Sequence, residues 1–383
     1  MTKAPEFFLI AGEPSGDRLG AALMAGLRQF VPEIGFQGIG GPLMQAEGLD
    51  SLFPMEELSV MGIAEVLPKY FHLKRRIAEA AQAVLDSGAR ALITIDSPDF
   101  CLRVAALVKA ANPQFPTIHY VAPSVWAWRP RRAAKMAKVI DHVLALLPFE
   151  PPYMTAAGMT CDFVGHPVVA EPLATAAETS LMAGPRPLIL ALPGSRRAEV
   201  ARLAPVLGQV LTQVKQAHPH ARVALPTVRG VANMVRDLTS DWPIPPQIIE
   251  DPALKRAAFA AADVAIAASG TVSLELAANG CPMVIAYDMH PLSLWLMRRA
   301  ALIDTVTLVN LVSETRTVPE FIGPNCRADL IAPAVLRLLD DGPGAQAKAM
   351  SATMDRLGRG GPPPGVRAAQ SVLTHLQGRR ADV

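Results

Sequence analysis

The chain has 383 residues, with 36 Lys and Arg against 34 Asp and Glu and a formal charge of +2. That length exceeds one ordinary core and points to two domains, and the near-balanced charge excludes a global basic field that recruits nucleic acid. Apolar residues reach 51% although aromatics are only 5%, and the mean hydropathy of +0.27 suits buried parallel strands or attachment to a membrane surface.

Residues 7–11 read as a strand, a Gly/Ser turn follows, and residues 19–30 read as a helix. Residues 91–95, 117–121 and 143–147 are further strands, each preceded by a helical stretch. Alternation of this kind implies a parallel, doubly wound sheet. Pro, Gly, Ala and Thr replace the strand pattern over residues 167–187, which read as a linker. The rhythm then restarts with a strand at 188–192, a long helix at 197–217 and a strand at 222–225. Strands at 264–267 and 283–286 follow, separated by a helix starting near Val272, and the helical end of the chain is interrupted by a turn at 358–365.

The expectation is an α/β fold with two Rossmann-like doubly wound domains facing a cleft. They cover residues 1–170 and 185–340, and a helical segment spans 341–383. No run approaches the ~18 apolar residues of a membrane span, and Asp263 breaks the richest stretch, residues 257–268. The start Met1-Thr2-Lys3-Ala4-Pro5 has no signal-peptide layout. Cys101, Cys161, Cys281 and Cys326 lack Cys-x-x-Cys spacing, which argues against a zinc site or disulfide framework and for a reducing, cytoplasmic setting.

Ligands of such sheets bind where strands turn into helices. The first such turn is Gly12-Glu13-Pro14-Ser15-Gly16-Asp17. Its glycines permit close approach, and the following helix start favours an anion or a polar sugar face. Capping by Ser15 or Asp17 is the plain alternative, and it leaves Glu13 unexplained. The second is Asp96-Ser97-Pro98-Asp99-Phe100. Asp99 suits the helix cap, which leaves Asp96 as the better base for deprotonating an attacking hydroxyl. The Asp-x-x-Asp spacing does not imply a divalent cation.

The third turn is Leu192-Pro193-Gly194-Ser195-Arg196, with Glu199 beyond it. Gly194 and Ser195 offer backbone N–H groups, and Arg196 adds a cation where the helix dipole disfavours one, which suits a pyrophosphate leaving group. The fourth is Ser269-Gly270-Thr271, with Glu275 one helical turn further on and placed to accept from ribose hydroxyls. A capping box has a similar appearance, but together with the third turn this one marks a nucleotide-diphosphate-sugar grip.

Two basic, apolar stretches suit anionic lipid head groups as an alternative to ordinary solvated faces. One carries Val60, Met61, Lys69, Phe71, Lys74, Arg75 and Arg76; the other carries Trp126, Trp128, Arg129, Arg131, Arg132, Lys135 and Lys138. His166, alone at a turn, is read as structural.

These motifs, in this order, resemble the lipid-A-disaccharide synthase family, glycosyltransferase family 19. The likeness runs over residues 8–337 and also takes in Gly38-Ile39-Gly40-Gly41-Pro42, Val60-Met61-Gly62, the 120–129 cluster and Val164-Gly165-His166-Pro167. The family usually has Asn where Cys101 stands, and Leu-Pro-Asn where this chain has Leu308-Val309-Asn310. The resemblance implies a GT-B fold without cofactor or metal. Its implied substrates are UDP-2,3-diacylglucosamine, held mainly by the C-terminal domain, and 2,3-diacylglucosamine 1-phosphate (lipid X). The implied product is a β-1,6 disaccharide, formed with inversion as UDP leaves. It also implies peripheral action at the inner face of the cytoplasmic membrane and a homodimer that exchanges C-terminal segments. Asp96 becomes the candidate base, Glu13 the family acid of the first loop, Arg196 the donor-phosphate ligand and Asn310 a neighbour of the nucleotide. Which carboxylate is the base stays open. A UDP-GlcNAc 2-epimerase of the same fold and a non-catalytic lipid- or nucleotide-binding protein are the rivals.

Overall fold

The structure is a computed structural model that describes residues 7–58 and 63–381, with side chains described outside 63–70 and 379–381. It divides into two compact units, Met1–Ala170 with Gly360–Val383, and Glu171–Arg359.

The first unit is built on a seven-stranded sheet. Its strands are β1 (Phe7–Ala11), β2 (Phe36–Ile39), β3 (Asp50–Ser51), β4 (Ala91–Ile95), β5 (Thr117–Tyr120), β6 (His142–Ala145) and β7 (Thr160–Phe163), in the order β3-β2-β1-β4-β5-β6-β7. Every pairing is parallel. β1 and β4 are buried throughout, so both read as unbroken apolar runs. Their side chains alternate between two cores. Phe8, Ile10 and Leu92 belong to one with Ile77, Ala80, Val104 and Val108, while Phe7, Leu9, Ile93 and Ile95 belong to the other with Leu23, Leu27, Val372 and Leu376.

The helix expected from residue 19 starts five residues earlier, at Pro14, with Glu13 as its N-cap residue. Proline is favoured there because its missing N–H is unneeded in a first turn. At the end of the chain, the helix Pro364–Ala381 lies against Pro14–Phe30. The approach is close enough that a Cβ on Gly365 would meet the Ala22 carbonyl oxygen at 2.3 Å, and one on Gly26 would meet the Gly365 oxygen at 2.5 Å. Val372 and Leu376 are buried in this contact, each contributing about 1.5–3 kcal/mol.

The second unit carries β8 (Leu188–Leu192), β9 (Arg222–Pro226), β10 (Pro246–Ile249), β11 (Val264–Ala267), β12 (Met283–Tyr287) and β13 (Glu320–Ile322). Their order is β10-β9-β8-β11-β12-β13, again all parallel. Both sheets reverse direction of growth beside their first strand, at β1/β4 and at β8/β11. A ligand crevice opens at such a switch point because the chain departs to opposite faces there. Ala11 lies opposite Ile95 and Leu192 opposite Ala267, so in each unit the two strands end level and their turns leave side by side.

Candidate active site

In the first unit, the turns after β1 and β4 are in contact: a Cβ on Gly12 would lie 2.6 Å from the Ser97 hydroxyl. Asp96 and Ser97 both take left-handed backbone angles, with φ of 52° and 43°. Such non-glycine residues cost of order 1–3 kcal/mol each and gather where a fold stores strain for function. Val121 (φ 85°) and Arg129 (φ 52°) extend the pattern to the loop after β5. Four of the five positive-φ non-glycine residues among those described therefore lie in the loops that follow β4 and β5. Burial pushes the Asp96 carboxyl above the usual carboxylate range, opposed by a hydrogen bond from the Ser97 backbone N–H.

Neither residue of the capping alternative caps the first helix. Asp17 is buried and accepts from Gly41 N (2.9 Å), Met44 N (2.9 Å) and Leu43 N (3.0 Å), so its carboxylate serves the start of the next helix, Pro42–Ala46. Ser15 already stands inside the helix that starts at Pro14. Asp99 likewise lies inside the first turn of Pro98–Ala111, whose N-cap position is Ser97. The Cys101 thiol is fully buried and faces the Ile10 carbonyl at 4.0 Å, packed under β1.

In the second unit, a cavity of about 520 Å³ opens at the β8/β11 switch point. Gly194, Ser195, Arg196, Ser269, Gly270, Thr271 and Glu275 all line it, so the third and fourth turns converge on one space. Gly194 has φ 106°, and a Cβ there would press on Glu199 at 2.5 Å. The Glu199 carboxylate accepts from the Arg196 guanidinium at 3.0 Å and from its backbone N–H at 3.4 Å, which fixes the cation at the start of the helix Arg197–Ala217. Glu275 accepts from Lys255 Nζ at 2.6 Å, and Lys255 also stands 5.2 Å over the Phe259 ring. Lys255 lines the cavity and escaped the sequence reading, since the strand before its helix Pro252–Ala261, β10, opens on a proline and presents no apolar run to mark the turn.

With this geometry established, known proteins give a consistent answer. A family model described as lipid-A-disaccharide synthetase matches residues 7–360. The chain belongs to that family. The lipid-A-disaccharide synthase of Ruegeria pomeroyi is 62% identical, over 97% of this chain and 95% of the relative; that of Rhodospirillum centenum is 46% identical over the same shares. Among solved structures, the UDP-GlcNAc 2-epimerase of Neisseria meningitidis bound to UDP-GlcNAc aligns at TM-score 0.63 and 10% identity, covering 97% of this chain and 98% of that one. Acinetobacter baumannii MurG aligns at 0.56 and 14%, over the same shares. At such identity the likeness concerns the fold alone, and that fold is the GT-B type.

Asn310, attached to function through the family resemblance, and Trp126, read as part of a lipid-facing stretch, sit elsewhere than expected. Asn310 is buried and does not line the cavity. Its amide nitrogen donates to Val318 O (2.9 Å) and Thr305 Oγ1 (3.3 Å), and its oxygen accepts from Val318 N (3.0 Å). It helps Glu320, which accepts from Val306 N and Thr307 N, to hold a loop whose Val306 carbonyl takes the Ser269 hydroxyl at 3.3 Å. Its influence on the cavity therefore passes through Ser269. Trp126 is no membrane contact: it is buried against Phe149 and donates to Glu150 at 3.2 Å. Burial pushes that carboxyl up to about 7, although the Leu146 and Leu147 N–H groups also donate to it.

Of the remaining expected membrane residues, Val60 and Met61 lie outside the described residues. Lys69 belongs to the helix Ile63–Asp86, and on that helix Phe71 is 81% exposed and Arg75 is exposed. The positive charge of Arg76 is offset locally, since Glu57 (2.8 Å) and Glu79 (2.8 Å) both pair with it. Arg129 is exposed and stacks on Trp128 at 4.1 Å. His166, read as structural, is buried and accepts from Val168 N at 3.2 Å, and burial lowers it to about 4. Among the described residues no cluster of three or more His, Cys, Asp or Glu suits a metal ion, and no helix is long and apolar enough to cross a membrane.

Proposed function

We propose that this chain is an inverting glycosyltransferase acting as a lipid-A-disaccharide synthase. It joins UDP-2,3-diacylglucosamine to the 6-hydroxyl of 2,3-diacylglucosamine 1-phosphate, giving the β-1,6 disaccharide 1-phosphate and UDP. The match to the family over residues 7–360 carries this reading, and the cavity at the β8/β11 switch point supports a nucleotide-sugar donor.

The reaction is a single displacement. The acceptor oxygen attacks the anomeric carbon as Asp96 or Glu13 takes its proton, and the bond to the UDP oxygen breaks on the opposite face. Charge then grows on the pyrophosphate, where Arg196 and the N–H groups opening the helix Arg197–Ala217 stabilise it. Glu275, oriented by Lys255, accepts from the ribose hydroxyls. The raised Asp96 carboxyl supports its role as base, because a carboxylate that holds its proton more tightly is the stronger proton acceptor.

Both substrates are acylated, which extends the reading to peripheral attachment at the inner face of the cytoplasmic membrane. Phe71 and Arg75 would meet acyl chains and head groups there. The homodimer that the family resemblance implies is tested by sedimentation. The deciding experiment measures UDP release by purified protein with both substrates, with each alone, and again in EDTA. Release that requires both substrates and survives EDTA is expected. Conversion of UDP-GlcNAc alone to its 2-epimer, or tight binding without UDP release, would overturn the proposal.

A further inference from the structure

The helix Pro291–Ala300 in the second unit follows β12 and buries none of its residues. Its sequence is nevertheless apolar, Pro-Leu-Ser-Leu-Trp-Leu-Met followed by Arg298 and Arg299. Leu292 (61%), Trp295 (50%), Leu296 (54%) and Met297 (45%) are all exposed, and Leu302 (59%) continues the patch just beyond the helix. Leu292, Trp295, Leu296 and Arg299 follow the i, i+3, i+4, i+7 spacing and so share one face. Leu294 falls on the opposite side. It is half-buried, its Cδ2 2.3 Å from where a Cβ on Gly323 would stand, so it anchors the helix to the unit while the apolar stripe faces out.

Isolated exposed leucines need no explanation, but a contiguous stripe on one helix does. Two features identify its occupant. The cations lie at one end of the stripe, and Arg299 stacks over Trp295 at 4.3 Å, which keeps a guanidinium beside an amphipathic indole. That layout of apolar face, interfacial Trp and flanking Arg suits a bilayer surface with anionic head groups. A second protein is the poorer fit. Five side chains about half exposed offer on the order of a few hundred Å², short of the ~800 Å² per partner of a stable interface.

We propose that Pro291–Ala300 is a membrane-docking helix, lying in the interface of an anionic bilayer with Leu292, Trp295 and Leu296 among the acyl chains and Arg298 and Arg299 at the head groups. The inference rests on the acylated substrates proposed above and assigns a lipid contact to the unit that holds the nucleotide-sugar cavity.

The test uses the full chain and vesicles of phosphatidylcholine alone or mixed equally with phosphatidylglycerol. The wild-type protein should co-sediment with the mixed vesicles, less with the neutral ones and less at high salt, with a blue shift of tryptophan emission that Trp295→Phe removes. Trp295→Ser/Leu296→Ser should weaken vesicle binding by about tenfold or more. Arg298→Glu/Arg299→Glu should abolish the preference for anionic vesicles. Because these side chains are exposed, circular dichroism and detergent-dispersed UDP release should both match wild type. Wild-type protein that ignores vesicles, or two double variants that sediment like wild type, would overturn the proposal. So would a dimer lost in the Trp295→Ser/Leu296→Ser variant with vesicle binding intact, which would put a second copy on this face. Absence of UDP release by wild-type protein in detergent would sink the transferase reading while the vesicle results still decide the docking.

Discussion

Asp96→Asn and Asp96→Ala, compared side by side, separate the chemistry of this carboxylate from the cost of its backbone. A general base contributes about 10²–10⁴ in rate, or roughly 3–5 kcal/mol at 1.36 kcal/mol per decade. Both variants should lose kcat by that factor in a UDP-release assay with saturating donor and acceptor. Their stabilities should differ. At φ 52° asparagine is tolerated as well as aspartate, whereas alanine costs roughly 1–2 kcal/mol, or about 2–8 °C in Tm for a domain of this size.

The charge acts in the same direction. The folded pKa of Asp96 lies above its ordinary value, so the folded state holds the proton more tightly than the unfolded one. Stability is therefore lost as pH rises between those two values, and the penalty persists above them. Asp96→Asn removes that penalty, so at neutral pH it should melt at or above wild type. The acid limb of kcat/KM should also sit above that of an ordinary aspartate. Near-normal turnover by Asp96→Asn would transfer the base role to Glu13, to be tested with Glu13→Gln. An Asn variant melting as low as the Ala variant would refute the strain argument.

Lys255→Met and Glu275→Gln should each raise KM for the donor by about tenfold with a smaller effect on kcat, and the double variant should fall short of the product, since the two side chains form one pair at 2.6 Å. Gly365→Ala should lower stability by ~1–3 kcal/mol in a thermal melt, because its Cβ would lie 2.3 Å from a backbone oxygen that has no room to move. Buried His119 and His166 are both lowered to about 4, so they bind their protons on unfolding and not in the folded state. The unfolding free energy should accordingly fall as pH drops from 6.5 toward 4, by up to about 1.4 kcal/mol per pH unit for each histidine, and His119→Gln should flatten that slope in melts across pH.

The central strands were legible in the sequence because they are buried on both faces: β1, β4, β8 and β11 lie where the apolar runs predict. The edge strands were not. β7 alternates exposed and half-buried positions, β10 opens on a proline and β13 spans three residues, so none presents an apolar run. The four chemistry-bearing turns were legible because glycine, serine and charged residues interrupt apolar sequence there, and the family motifs ordered them. Partnership was not legible. That Lys255 holds Glu275, that Asp17 caps a helix some 25 residues on, and that Asn310 reaches the cavity only through Val306 and Ser269 all depend on contacts between segments far apart in the chain.

The sequence by itself determined the class of fold and the turns that bear chemistry, since strand burial and turn composition are local properties written in a few consecutive residues. Only the tertiary structure decided which tryptophans of the two tryptophan-and-arginine stretches face out. Trp126 is drawn into the core by Glu150, while Trp295 is left on the surface because Leu294, on the opposite side of its helix, takes the available contact at Gly323. Burial depends on what the rest of the chain places alongside a residue, and hydropathy carries no record of that.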